Sequence, residues 1–183
     1  MFPTSSRQRW VVIVWSLVSG IIHIGWEGSW SLLAPWLAEP WARHGWAQYW
    51  TLYGLADARY VHADPFVRIL ELVTGTIVAA LNLGCAWSVL RQRNGRGTAI
   101  ALLIASVMEV YGTILYFGSE MLNGWRNVDT GSFVHTWLMF FGLNTLWLIF
   151  PGWCIYEITS HAIGLRRTVA VESRRGAPAV SPS

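Results

Sequence analysis

Residues 10–33 read WVVIVWSLVSGIIHIGWEGSWSLL. A run of this length and apolarity can cross a bilayer, which takes about 20 residues of helix. Yet His23 and Glu27 stand in its second half. An ionised side chain near the centre of a membrane helix costs about 2.5–3.5 kcal/mol, so such residues face a protein interior or a polar cavity, not lipid. His23 and Glu27 are four residues apart and share one helix face. The stretch therefore predicts a transmembrane helix with an inward polar stripe, and a bundle for that stripe to face.

Three further windows have the same character: 66–90, 98–122 and 133–158. Together with 10–33 they predict an all-α polytopic membrane protein, a bundle of four transmembrane helices. Punctuation falls where spans should end: Pro35 and Pro40 after the first, Asp64-Pro65 before the second, residues 91–97 between second and third, and Asn123-Gly124 after the third. The composition agrees, with 54% hydrophobic and 13% charged residues among 183 and a mean hydropathy of +0.39. That length suits one domain: a cytoplasmic segment 1–9, a membrane domain 10–165, and an Arg-, Ser-, Pro- and Ala-rich tail 166–183 expected to be disordered. The opening run resembles a signal peptide at first, but it continues through His23 and Glu27 without a small-residue cleavage motif, and it reads as the first span.

All 13 basic residues are Arg. Arg91, Arg93, Arg96, Arg166 and Arg167 follow apolar stretches, where positive charge sets topology and meets anionic headgroups, so the basic pI is no sign of nucleic-acid binding. Arginines before the first span, between second and third, and after the fourth place both termini on the cytoplasmic face. Cys85 and Cys154 fall inside spans without metal-ligand spacing and read as packing residues, with no metal implied. The first loop, 34–65, carries Trp36, Trp41, Trp46, Tyr49, Trp50, Tyr53 and Tyr60. Such amphipathic aromatics favour the headgroup layer, so the loop is expected to lie along the interface, as an anchor or as a lid over the bundle.

Every span carries one polar stripe. Glu71 pairs with Thr74 in the second; Glu109, Thr113, Tyr116 and Glu120 repeat at helical spacing in the third; Asn144 and Trp147 are three apart in the fourth. Four stripes meeting would build a polar pocket inside an apolar shell. There His23 and the carboxyls could exchange protons near neutral pH, and the Trp147 face could stabilise a cation. Plainer readings remain. His23 with Glu27 could be an interhelical clasp, and Asn144 could hydrogen-bond a neighbouring helix. Glu120 is expected at the interface, His135 in a structural role, and Asp57, Arg59 and Asp64 in a loop salt-bridge cluster or at an entrance.

Four segments resemble the emopamil-binding protein family, the EXPERA-domain membrane proteins that include sterol Δ8 to Δ7 isomerase and the sigma-2 receptor. They are residues 22–28 (IHIGWEG); Asp57-Ala58-Arg59-Tyr60 through Asp64 to Glu71-Leu72-Val73-Thr74; Tyr111-Gly112 with Leu115-Tyr116-Phe117 and Glu120; and Asn144-Thr145-Leu146-Trp147 with Pro151-Gly152. In order and spacing they cover residues 10 to 160. The resemblance implies a sterol pocket within the membrane, where one group protonates the alkene, a tertiary carbocation forms and a second group removes a neighbouring ring proton, with no cofactor. It places His23, Glu27 and Glu71 at the catalytic acid and base positions. Thr74, Asn144 and Trp147 fall on the family's pocket-lining positions, and Glu109, Tyr111 and Tyr116 join them as candidate substrate contacts. The sterol isomerases of the family carry Gln where Glu109 stands, an acidic residue where Thr113 stands and a further N-terminal span, and the added acid at 109 points to a polycyclic terpenoid as an alternative substrate. The implied partners are that substrate, membrane lipids, cationic amphiphilic amines as inhibitors, and a second copy of the chain. The implied location is the endoplasmic reticulum, or the inner membrane in a bacterium.

The reading is thus an intramembrane double-bond isomerase. The alternative is a non-catalytic sterol or cationic-amphiphile binding or trafficking protein of the sigma-2 type. A proton-coupled transporter is a third class, disfavoured by four short spans without inverted repeats.

Overall fold

The computed structural model of the chain describes residues 5–93 and 95–176, with side chains except at 42–43 and 165–176. Among these residues every regular element is helical, and four helices are long and apolar enough to cross a membrane: α1 (Ser6–Trp36), α3 (Pro65–Leu90), α4 (Arg96–Leu122) and α5 (Val134–Gly164). A short helix α2 (Gln48–Tyr53) lies in the first loop. The termini of these helices follow local chemistry. Ser5 caps α1 in a reciprocal capping box with Gln8, and Asp64 caps α3 by accepting from the Val67 amide with Pro65 in the first turn. Asp64 thus acts as a cap, and among the described residues it joins no salt bridge. The α4 exit turns through Gly124 and Trp125, both at positive φ. At its other end α5 continues helically to Gly176, so the tail expected to be disordered is helical that far; residues 177–183 lie outside the described residues.

Burial is inverted relative to a water-soluble bundle. Ser16, Ser19, Asn82, Ser106, Glu109 and Glu120 are fully inside, whereas Val14, Val18, Ile21, Ile104, Val107, Ile114 and Leu138 are exposed. An interior that holds the polar groups with a Val/Ile/Leu exterior is the arrangement a lipid solvent selects.

α1 packs along α3, and α4 packs along α5. Where α1 crosses α3 the two backbones almost touch. A Cβ at Gly75 would lie 2.3 Å from the Gly28 Cα and 2.8 Å from the His23 carbonyl, so the crossing requires glycine. On both sides of this contact the helices widen into π turns, His23–Gly28 on α1 and Thr74–Val78 on α3. The wider turn displaces side chains from the ordinary helical register, and such turns concentrate at functional sites.

α1 and α5 meet through large aromatics. Trp15 stacks on Phe150 at 4.6 Å, and Gln8 bonds Glu157 below. The first loop closes the opposite end of the bundle more firmly than an interfacial anchor would: Trp50, Tyr53 and Tyr60 are buried in one core with Trp30, Tyr116 and Phe140, while Trp36, Trp41 and Trp46 remain exposed. The loop is pinned to the third loop by the Asp57–Val128 bridge and by the Ala58 amide donating to Asn127 at 2.8 Å.

Candidate active site

The α1–α3 crossing sets the Glu27 carboxyl against Thr74, whose hydroxyl donates to Glu27 Oε2 at 2.6 Å and lies 3.4 Å from Glu71 Oε2. One hydroxyl thus stands between two carboxyls from different helices. His23 Nδ1 is 2.5 Å from the same Glu27 oxygen. On its other side, His23 Nε2 lies 3.2 Å from Glu109 Oε1 of α4 and 3.1 Å from the Trp147 indole N–H of α5. All four spans contribute to the cluster.

Support comes from three groups that sequence reasoning passed over. Ser19 and the Asn82 amide donate to Glu109 Oε1 at 2.5 and 2.8 Å. Ser19 is one turn before His23, and Asn82 interrupts an apolar span, so both were detectable as members of the polar stripes. The third, Tyr60, gives no such signal, since it lies in an aperiodic loop; folding carries its hydroxyl to Glu71 Oε1, to which it donates. Burial first, and the neighbouring Glu71 charge second, push the Tyr60 phenol well above its ordinary range, which keeps it a donor. Burial likewise raises the Tyr53 phenol, which accepts from the Asn144 amide at 2.8 Å.

These residues line two adjoining cavities. The smaller, about 40 Å³, is a polar chamber walled by His23, Glu27, Glu71, Thr74, Glu109 and Thr113 among others. The larger, about 340 Å³, is apolar, lined by Ile21, Ile22, Trp26, Trp46, Leu143 and Leu146. Glu27, Glu71, Asn144 and Trp147 border both. The larger volume lies within the ~300–1,000 Å³ typical of small-molecule sites. Ile21 is 63% exposed and Leu146 38%, so the apolar cavity opens sideways between α1 and α5, onto the surface that faces lipid.

The sequence-predicted residues therefore converge, with two exceptions. Tyr111 is 62% exposed on the outside of α4, because two residues beyond Glu109 is about 200° round a helix. Glu120, expected at the interface, is 1% exposed: it accepts from Asn127 and sits 3.5 Å from Arg59. Arg59 clasps Asp57 at 2.7–3.1 Å, and Tyr116 donates to that same Asp57. Burial alone would lower the Arg59 guanidinium, but the Asp57 hydrogen bonds hold it above its ordinary value. This ion cluster locks the first loop over the site. His135 pairs with Asp129 at 2.7 Å, the structural role expected of it. Cys85 and Cys154 are buried free thiols with no disulfide between them, Cys85 donating to the Thr98 carbonyl at 3.7 Å, and the described residues contain no cluster able to hold a metal.

The profile of the EBP family, EXPERA (EXPanded EBP superfamily), matches residues 45–158. The 3-beta-hydroxysteroid-Delta(8),Delta(7)-isomerase of Rattus norvegicus is 30% identical over 159 residues, covering 87% of this chain and 67% of the rat protein. The Mus musculus enzyme of the same name is 32% identical with the same coverage. Protoglabretal synthase MOI1 of Citrus sinensis is 27% identical over 165 residues, 89% of this chain and 76% of the plant protein. With that profile match over more than half of its length, and these relatives matched over most of it, the chain belongs to the emopamil-binding protein family of EXPERA membrane proteins.

Proposed function

We propose that this protein is an intramembrane isomerase that moves a ring double bond of a sterol, Δ8 to Δ7, or of a related triterpenoid. The observation that carries this reading is a pair of carboxyls, Glu27 and Glu71, set at the polar end of an apolar cavity and sharing the Thr74 hydroxyl. An alkene is a very weak base, so its protonation needs a poised acid, fixed negative charge for the carbocation and exclusion of water. The His23–Glu27 pair forms one proton relay and Glu71 the opposing group. One C–H bond forms at the alkene as one breaks at the neighbouring ring carbon, and electrons balance without a cofactor. The Thr74 hydroxyl offers the path by which the removed proton returns between carboxyls. Trp147 and Asn144 border the cavity where the cation develops, and the indole face favours positive charge.

The sideways opening suits a substrate dissolved in the bilayer. Cationic amphiphilic amines fit the same space as mimics of the carbocation, and both termini lie on the cytoplasmic face, at the endoplasmic reticulum in a eukaryote. The test is incubation of the detergent-purified protein with a Δ8-sterol in deuterated water beside Glu71→Gln, followed by mass spectrometry. A Δ7 product with one deuteron from the wild type, and none from the variant, is expected. Tight sterol binding without deuterium incorporation in either protein would replace the isomerase with a binding protein.

A further inference from the structure

His23 Nε2 faces two groups that make opposite demands. The Trp147 N–H donates to a bare Nε2 at 3.1 Å, whereas Glu109 Oε1 at 3.2 Å accepts from a protonated one. Glu109 itself is set as an acceptor. Its Oε1 gathers donors from Ser19 and Asn82 as well as His23, while its Oε2 is buried with no partner among the described residues, so a proton placed there would donate to nothing. Among the described residues the titratable groups around this pair are Glu27 from α1, Glu71 across Thr74 from α3, Glu109 from α4 and, from α5, the buried Cys154 thiol on the Glu109 side, beside the neutral Trp147 and Asn144.

We propose that Glu109 is a positioning residue of the isomerase, a fixed carboxylate that keeps a proton on His23 for delivery to Glu27. In the resting arrangement Glu109 accepts from Nε2–H and Glu27 accepts from Nδ1–H, so the carboxylate outcompetes the Trp147 N–H for Nε2 and that indole no longer donates to the ring. The Nδ1 proton then crosses the 2.5 Å contact to Glu27, the carboxyl that borders the apolar cavity. The N–H bond breaks as the O–H bond forms. Neutral His23 retains the Nε2 proton, still held by Glu109, and is recharged at Nδ1 when the ring proton returns through Thr74. Glu109 therefore compensates the imidazolium and never touches substrate. The inference rests on the isomerase reading.

Glu109→Gln tests it, since the amide oxygen can still accept from Ser19, Asn82 and His23 while the charge is gone. Removal of an opposite charge at this separation moves a titration by about 1–3 pH units. The variant should lose roughly 100-fold in kcat at pH 7.5, the lower end of the range of general acid–base catalysis, with KM little changed. The alkaline limb of its pH–rate profile should fall at lower pH, and Glu109→Asp should recover part of the shift. A uniform loss with an unmoved limb would mark Glu109 as merely structural and overturn the proposal. Nitrogen-15 resonances of labelled His23 give a second readout that needs no turnover: the titration of His23 should shift to lower pH in Glu109→Gln, and identical titrations would refute the proposal. If neither protein isomerises sterol, the isomerase reading fails by itself while this titration still decides the role of Glu109.

Discussion

Gly75→Ala tests the helix crossing on which the site depends. The added Cβ would meet the Gly28 Cα at 2.3 Å, the Gly28 nitrogen at 2.7 Å and the His23 carbonyl at 2.8 Å. All three are backbone atoms, so no side chain can swing aside. To reach ordinary contact at 3.4 Å the two helices must part by about 1.1 Å. If the separation follows the Thr74–Glu27 direction, that hydrogen bond stretches from 2.6 Å to beyond the 3.5 Å limit of a useful bond. Overpacking of this kind costs about 1–3 kcal/mol, and a 1 Å misplacement of reacting groups costs on the order of 100-fold in rate. The assays are the thermal unfolding midpoint in detergent and Δ8-sterol turnover, each against Gly84→Ala. Gly84 lies on the same helix with open space around its Cβ position, so alanine there should be neutral or slightly stabilising, by at most about 1 kcal/mol. Wild-type turnover and midpoint in Gly75→Ala would refute the claim that this contact places Glu27 against Thr74.

Two further outcomes follow from the loop clusters. Arg59→Ala strands the buried Asp57 and Glu120 carboxylates and should destabilise the fold by about 3–5 kcal/mol, seen as a lowered unfolding midpoint; an unchanged midpoint would show that the cluster does not hold the loop. The His135 hydrogen bond holds the exposed Asp129 carboxyl below its ordinary value of 3.8, so its stabilisation is present above about pH 4 and disappears as pH falls through the depressed value. The midpoint difference between wild type and Asp129→Asn should therefore be present at pH 6 and gone well below the ordinary value, and a difference constant across that range would refute the pairing.

The helical class and most of the site were legible because lipid imposes strong rules on sequence. A charged residue in an apolar span has few places to go, so His23, Glu27, Glu71 and Glu109 announced both the interior face and the chemistry. The same periodicity that placed Glu109 inside could have excluded Tyr111, which sits on the opposite side of the helix. Glu120 looked interfacial by its distance along α4. The return of the first loop, bringing Arg59, and Asn127 of the third loop enclose it.

Helical period and the cost of charge in a bilayer were enough to read the spans and their polar stripes from the chain, and the family was legible as a resemblance carried by four short motif segments. Tertiary structure alone decided which nitrogen of His23 meets which acid, that Tyr60 reaches Glu71, and that the polar chamber adjoins an apolar cavity open between α1 and α5. Those facts depend on how two helices cross at Gly28 and Gly75 and on how an aperiodic loop folds back. Crossings and loop paths arise from contacts between residues distant in the chain, and local periodicity carries no record of them.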